Sequence, residues 1–363
     1  MSTNLLLRVG LAVAVAAYVG LAARHLTLPG MYVDEALPLI GIHDAEPENV
    51  SPEGQWLMNA PYAGAIKGLI LAVPFRLFGF RVEVLRFTAI AVTAGGLIFA
   101  ALLAWRMCGG FPALAATWLL ATDPSLILYT KADWGSVAMG FTFRTALLYW
   151  LWRWWDGGGR APLVAAGLCA GLGLWDKATF AWVLVAVLLV GIVAWFTDRG
   201  RPSLSLADAT WAAAACLVSS SPFWIYNLNE HWATVRSIAR PGDPENLAGI
   251  LALSATRTIA LREMFNGAAT ARWMFGTDVP AHFGFAHTWL LPLSIVAAFV
   301  CVIGGVTARR VWAWAIPALI GAILAQIYLT PRSVWVHQWI TVYPLPQLAI
   351  GWAWSSTRRS SDR

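Results

Sequence analysis

The sequence predicts an all-α, polytopic transmembrane helical protein of about ten spans, with juxtamembrane helices in its first outer loop. Three observations predict it. The 363 residues are 59% hydrophobic and only 12% charged, where soluble domains are roughly 45–50% apolar and about 25% charged. The apolar residues gather into runs close to the ~20 that a helix needs to cross a bilayer. The arginines between those runs fall on alternate loops, as cytoplasmic loops require. This composition excludes a disordered chain and an ordinary soluble enzyme, and the spans leave room for a single membrane domain over residues 1–363.

The first run, 5–23, reads as a span. The alternative is a cleaved signal ending at the small residues Ala22 and Ala23, but the run is long for a signal core of about 7–15 residues. The run 60–78 carries Lys67, Arg76, Pro61 and Pro74. Two charges and two prolines suit a surface or re-entrant segment better than a clean span. The runs 86–105, 111–129, 137–155, 161–175, 178–197, 208–225, 288–306, 312–329 and 338–355 complete the series. Arg106, Arg153 with Arg160, Arg199 with Arg201, Arg309 with Arg310, and Arg358 with Arg359 follow alternate runs and place both termini in the cytoplasm. The outer side then holds the first loop, 24–85, and the largest loop, 226–287. A helix is expected near 246–266, between the turn Pro241-Gly242-Asp243-Pro244 and Asn266-Gly267.

The net charge of +6 reads as loop arginine that orients a membrane protein, not as a nucleic-acid surface. Lys67, Lys131 and Lys177 are the only lysines, and all fall on or near the outer side. Cys108, Cys169, Cys216 and Cys301 form no CxxC pair and imply neither a disulfide framework nor a zinc site. The chain contains no HExxH, P-loop, GxSxG or GxGxxG. No nucleotide cofactor is expected.

Four constellations remain, all at outer span ends. Asp34-Glu35 opens the first loop; neighbouring carboxylates point apart, so one at most addresses a given site. A partly desolvated carboxylate there suits a general base or a metal ligand. Lys131-Ala132-Asp133-Trp134 brings a second carboxylate to the same depth. Trp175-Asp176-Lys177 sits between two runs with almost no loop, either as a charge-stabilised turn or as a point-charge phosphate binder. Arg332, His337 and Tyr343-Pro344-Leu345-Pro346 mark the outer end of the last run, where proline can open the helix toward a cavity.

In this order the series resembles the GT-C glycosyltransferases, in particular the branch of protein O-mannosyltransferases and the lipid A aminoarabinose transferase. The matching elements are Asp34-Glu35 after the first span, Asn59-Ala60-Pro61-Tyr62, Phe78-Gly79 with Leu85-Arg86, the passage from Pro124 to Asp133, the segment from Gly171 to Lys177, Pro222 with Asn227, and His337 with Tyr343-Pro344. The likeness covers about residues 1–230 and, more weakly, the end. The chain departs from the pattern at Asn59-Ala60-Pro61, where Lys-Pro-Pro is usual, and at Ala36, where Tyr usually follows the acid pair.

The resemblance implies an inverting transfer of a sugar from a polyprenyl-phosphate donor to an acceptor hydroxyl on a glycan, lipid or protein. The reaction would take place at the non-cytoplasmic face of the plasma (inner) membrane, beside lipid. It implies Asp34 as general base, with Asp133 and Glu35 as further catalytic carboxylates. It implies Lys177, Arg86, Tyr62, Arg332, His337 and Tyr343 as substrate contacts. A divalent metal held by Glu35 and Asp133 stays open. The alternative is a polytopic lipid or sugar transporter or flippase, which would place charges at mid-span on broken helices, often in repeated halves. Only Lys67, Asp123 and Arg144 approach mid-span, and the chain shows no repeat.

Overall fold

The computed structural model describes residues 3–28, 30, 31, 35, 56–133, 135–198, 202–239, 247–275, 289–308, 311–330, 334 and 336–361. Asp34 and Arg332 therefore lie outside the described residues, as do all of 36–55 and 276–288.

Helix α1 spans Thr3–Ala22. A two-strand hairpin follows, β1 Met58–Ala60 against β2 Ala63–Gly64, and then α2 Ile66–Phe78. Next come α3 Val82–Cys108, α4 Gly110–Ala121, α5 Pro124–Ala132, α6 Val137–Gly157 and α7 Arg160–Asp176. They are followed by α8 Ala181–Thr197, α9 Leu206–Ser219, α10 Ser221–Asn229 and α11 Ala233–Ala239. The chain continues through α12 Leu247–Phe265, α13 Ala268–Phe275, α14 Leu290–Ala308, α15 Val311–Leu329, α16 Val336–Trp339 and α17 Leu345–Ser361.

The architecture is the all-helical one expected, and it is polytopic. Among the described residues, three helices are long and apolar enough to cross a bilayer: Asn4–Ala22, Val82–Cys108 and Ala178–Thr197. The pair α4 and α5, bent by 51° at its break, forms a fourth candidate. The other runs are helical but shorter or more polar; α6, for example, carries Arg144, Arg153 and Asp156. The run 208–225 is divided at Ser220, and 338–355 becomes a short helix, a turn and then α17. On α8 the large side chains Leu188, Leu189, Ile192, Val193 and Phe196 are exposed along one face, which suits lipid as its solvent.

The run 60–78 is not one helix. It holds part of the hairpin and α2, whose 13 residues rise only about 20 Å at 1.5 Å each, short of the ~30 Å hydrocarbon core.

Small residues set the close contacts that hold the bundle. A side chain at Gly96 would meet Thr142 and Phe141 at 2.7 and 2.8 Å, so α3 approaches α6 closely. At Gly167 and Gly171 it would meet α9 backbone oxygens at 2.3 and 2.2 Å. Such contacts between backbones are how helices associate where burial from water gives no drive. Tyr18 of α1 is fully buried and its hydroxyl shares a 2.6 Å hydrogen bond with Thr130 of α5.

Candidate active site

The break between α4 and α5 is written locally. Asp123 caps α5 by accepting from the Leu126 amide at 2.9 Å, and Pro124 occupies the first turn, where it costs no hydrogen bond. Helix α5 then runs to Asp133, whose φ of 44° ends it in the left-handed region. Aspartate tolerates that conformation better than most residues. Asp133 Oδ1 accepts from the Ala138 amide at 2.8 Å and so steadies the start of α6.

The loop 133–136 is held from both sides. From the juxtamembrane side, Lys67 of α2 pairs with Asp133, Nζ to Oδ2 2.8 Å, and also donates to the Asp133 carbonyl at 3.1 Å. Both side chains are 2% exposed. From the other side, Lys177 at the end of α7 donates to the Gly135 carbonyl at 2.8 Å. Gly135 has φ +62°, and a side chain there would lie 2.5 Å from Lys177 Nζ. This position therefore needs glycine on both counts.

Lys177 is itself aimed by the hairpin. It bridges Ala63, the Ala178 amide donates to Tyr62 O at 2.9 Å, and the Trp175 indole donates to Leu57 O at 2.7 Å. Lys177 Nζ lies 3.3 Å from His337 Nε2. An ammonium can only donate, so this nitrogen accepts and the proton of the neutral ring sits on Nδ1. Burial, and then the charge of Lys177, hold His337 well below the usual imidazole range.

Lys177 and His337 line a small pocket, partly open to solvent, with Gly135, Ser136, Asp176 and Arg144. Arg144 of α6 forms its inner wall. It donates to the Tyr343 and Ile340 carbonyls at 2.5 and 3.0 Å and so draws the segment before α17 onto α6. The Tyr343 hydroxyl donates to Asp123 Oδ2 at 2.9 Å, which ties the same segment to the helix break.

A second clamp holds the segment after α1. Arg86 of α3 grips Glu35 through two bonds, Nε to Oε2 2.9 Å and Nη2 to Oε1 2.8 Å. It also donates to the Leu26 and Gly30 carbonyls at 2.7 and 3.2 Å. Lys131 donates to the Arg24 and His25 carbonyls at 2.7 Å each.

The fold thus gathers Asp133, Lys177 and His337 around the loop 133–136. Glu35 and Arg86 bind each other in the clamp instead, and Tyr343 is fully buried between Arg144 and Asp123. Tyr62 sits in the hairpin turn, 44% exposed. A metal held jointly by Glu35 and Asp133 does not fit this geometry. Each carboxylate is bound by a cation in a separate clamp, and among the described residues no group of three His, Cys, Asp or Glu side chains converges. Sequence reasoning gave no site role to Lys67, Asp176 or Arg144. For two of them the signal was present, since a charge inside an apolar run is costly unless it has a task.

No family model and no curated protein matches the chain. Solved structures do. The Archaeoglobus fulgidus oligosaccharyltransferase tethered with an acceptor peptide superposes with a TM-score of 0.51, at 14% identity over 98% of this chain and 50% of that one. Its apo form gives 0.50, 14%, 98% and 52%. ArnT from Cupriavidus metallidurans bound to undecaprenyl phosphate gives 0.47, 16%, 99% and 79%. This chain spans about half the length of the oligosaccharyltransferase it matches.

Proposed function

We propose that this chain, which has the GT-C fold, is an inverting membrane glycosyltransferase. It takes a sugar from a polyprenyl-phosphate donor and gives it to an acceptor hydroxyl at the non-cytoplasmic face of the plasma (inner) membrane. The observation that carries the reading is the convergence of Asp133, Asp176, Lys177 and His337, contributed by three separate segments, on the loop 133–136 and the pocket beside it. A transporter has no evident need to fix an ammonium against a neutral imidazole at a loop entry. The donor class comes from the sequence resemblance, and the shared fold with an oligosaccharyltransferase supports a transferase.

The clamp on Glu35 supports a division of roles within the acid pair. Both Glu35 oxygens are bound by Arg86, which favours Asp34 over Glu35 as the base. Asp34 removes the hydroxyl proton as the acceptor oxygen bonds to the anomeric carbon. The carbon–oxygen bond to the phosphate breaks on the opposite face, and its electron pair leaves with the lipid phosphate. Such a base contributes on the order of 10²- to 10⁴-fold. Lys177 meets the charge that grows on the departing phosphate, and neutral His337 keeps that ammonium directed without adding a second charge.

The test is transfer in proteoliposomes containing the full chain, radiolabelled glycosyl polyprenyl phosphates and a membrane extract as acceptor source. Asp34→Asn should abolish transfer with expression and donor binding retained, whereas Glu35→Gln should lower stability first. Wild-type transfer by Asp34→Asn together with its loss in a stably folded Glu35→Gln would move the base by one residue. Full activity in both would end the mechanism.

A further inference from the structure

Asp176 is a buried acid that the mechanism above does not use. Its side chain is 0% exposed. Neither carboxyl oxygen completes a hydrogen bond among the described residues, and burial, followed by the like charge of Asp133, pushes the acid well above the usual carboxylate range. A buried polar group left in this state costs stability, and native proteins keep such groups where a function uses them.

Its surroundings indicate which ligand would complete it. Asp176 lines the same pocket as Lys177 and His337. On one side stands Gly140, where an added side chain would lie 3.7 Å from Asp176 Oδ2, and the missing side chain leaves room beside the carboxyl. The neighbouring charges are Asp133, of like sign, and Lys177 and Lys67, of opposite sign. Lys67 is already bound to Asp133. An ammonium ligand would meet the charge of Lys177, and an anion placed on Asp176 would meet two acids. A neutral group rich in hydroxyls meets neither objection. A carboxyl group offers about four lone-pair sites on two oxygens and can accept from two adjacent hydroxyls.

We propose that Asp176 is a specificity contact that accepts hydrogen bonds from hydroxyl groups of the sugar carried on the lipid phosphate. The proposal rests on the glycosyltransferase reading. It follows the covalent order of the donor: Lys177 takes the phosphate, and the residue beside it takes the sugar, one bond away. Asp176 is then unsatisfied only in the empty site, and donor binding completes it.

The test measures binding of four kinds of probe to the purified full chain in detergent. These are farnesyl phosphate, its glucosyl, mannosyl and arabinosyl diesters, the hydroxyl-free cyclohexyl diester, and a glucosaminyl diester. Wild-type protein should prefer at least one glycosyl diester over the cyclohexyl diester by about 10- to 100-fold, the size expected of two hydrogen bonds to the carboxyl. Asp176→Asn and Asp176→Ala should reduce that preference to within about threefold, well below that range. Binding of farnesyl phosphate should stay as it was, and Asp176→Asn should melt no lower than wild type, because it removes an unsatisfied buried acid.

Wild-type protein that binds farnesyl phosphate without distinguishing any glycosyl diester from the cyclohexyl one would overturn the inference and leave the transferase reading standing. So would a preference that survives both substitutions, or one confined to the glucosaminyl probe. A lowered melting point with equal loss for every probe would make Asp176 a structural residue and also overturn the inference. Failure of wild-type protein to bind any of the probes would remove the transferase reading and the inference with it.

Discussion

Replacing Lys67 by methionine should destabilise the protein by about 3–5 kcal/mol, the cost of breaking a buried ion pair from one side. The figure follows from the setting. Lys67 and Asp133 are each 2% exposed and 2.8 Å apart. Methionine fills nearly the same space, so the packing term is small. What changes is that Asp133 keeps its 2.8 Å bond from the Ala138 amide but loses its cation, and its carbonyl loses the 3.1 Å bond from the same ammonium. The double variant Lys67→Met with Asp133→Asn separates charge from shape. Asparagine accepts from the Ala138 amide and tolerates the left-handed backbone, so the pair should recover roughly half of the loss, leaving no unpaired buried charge. Equilibrium unfolding in mixed micelles measures both, since each 1.4 kcal/mol is a tenfold change in the folding constant. A Lys67→Met variant within about 1 kcal/mol of wild type, well under the range for a buried pair, would refute the reasoning. A double variant no better than the single one would show that the cost is geometric, not electrostatic.

Arg86→Lys should cost about 2–4 kcal/mol, because an ammonium cannot reproduce the two bonds to Glu35 or reach both carbonyls of the first loop; thermal melting with and without Glu35→Gln checks it. Gly135→Ala places a side chain 2.5 Å from Lys177 Nζ at φ +62°. It should lower stability by about 1 kcal/mol and raise the donor KM more than it lowers kcat, as steady-state transfer kinetics would show. His337 is held neutral with its pKa well below the ordinary value near 6.5, so the unfolded chain binds more protons than the folded one just below that pH. Its stabilising contribution is complete above about pH 6.5 and is lost as pH falls, by up to ~1.4 kcal/mol per unit. His337→Gln should flatten the stability–pH curve between about pH 6.5 and 5, and an unchanged slope would place the titrating group elsewhere.

The membrane class, the helical runs and the failure of 60–78 to form one span-length helix were legible because they depend on composition and on charges that lipid does not tolerate. The hairpin at 58–64 was not. It is made of short alanine- and glycine-rich strands with no alternating pattern, and it exists because Ala63 pairs with Lys177 and Tyr62 accepts from Ala178, contacts more than a hundred positions away in the chain. Asp133 and Lys177 could be singled out as charges at span ends, since each lies where an apolar run stops. The role of Glu35 could not be read from its adjacency to Asp34, because the residue that binds it, Arg86, is 51 positions away. The break at Asp123 was written in sequence as a capping aspartate before proline but was hidden inside an apolar run of span length.

A general asymmetry underlies the cations. Loops at the ends of the helices carry carbonyls that no helix satisfies, and near lipid little water is available to do so. Arg86, Lys131, Arg144 and Lys67 all spend donors on such carbonyls, each joining a helix to a segment distant in sequence. A cation that holds a loop and a cation that holds a phosphate look the same in sequence, because both are basic residues beside an apolar run. They differ in what they border. Arg86 is wholly buried against Glu35 and two carbonyls, whereas Lys177 lines the pocket. Loss of Arg86 should therefore show first as lost stability and loss of Lys177 as lost donor affinity. That contrast decides whether the pocket or the first-loop clamp is where the phosphate binds.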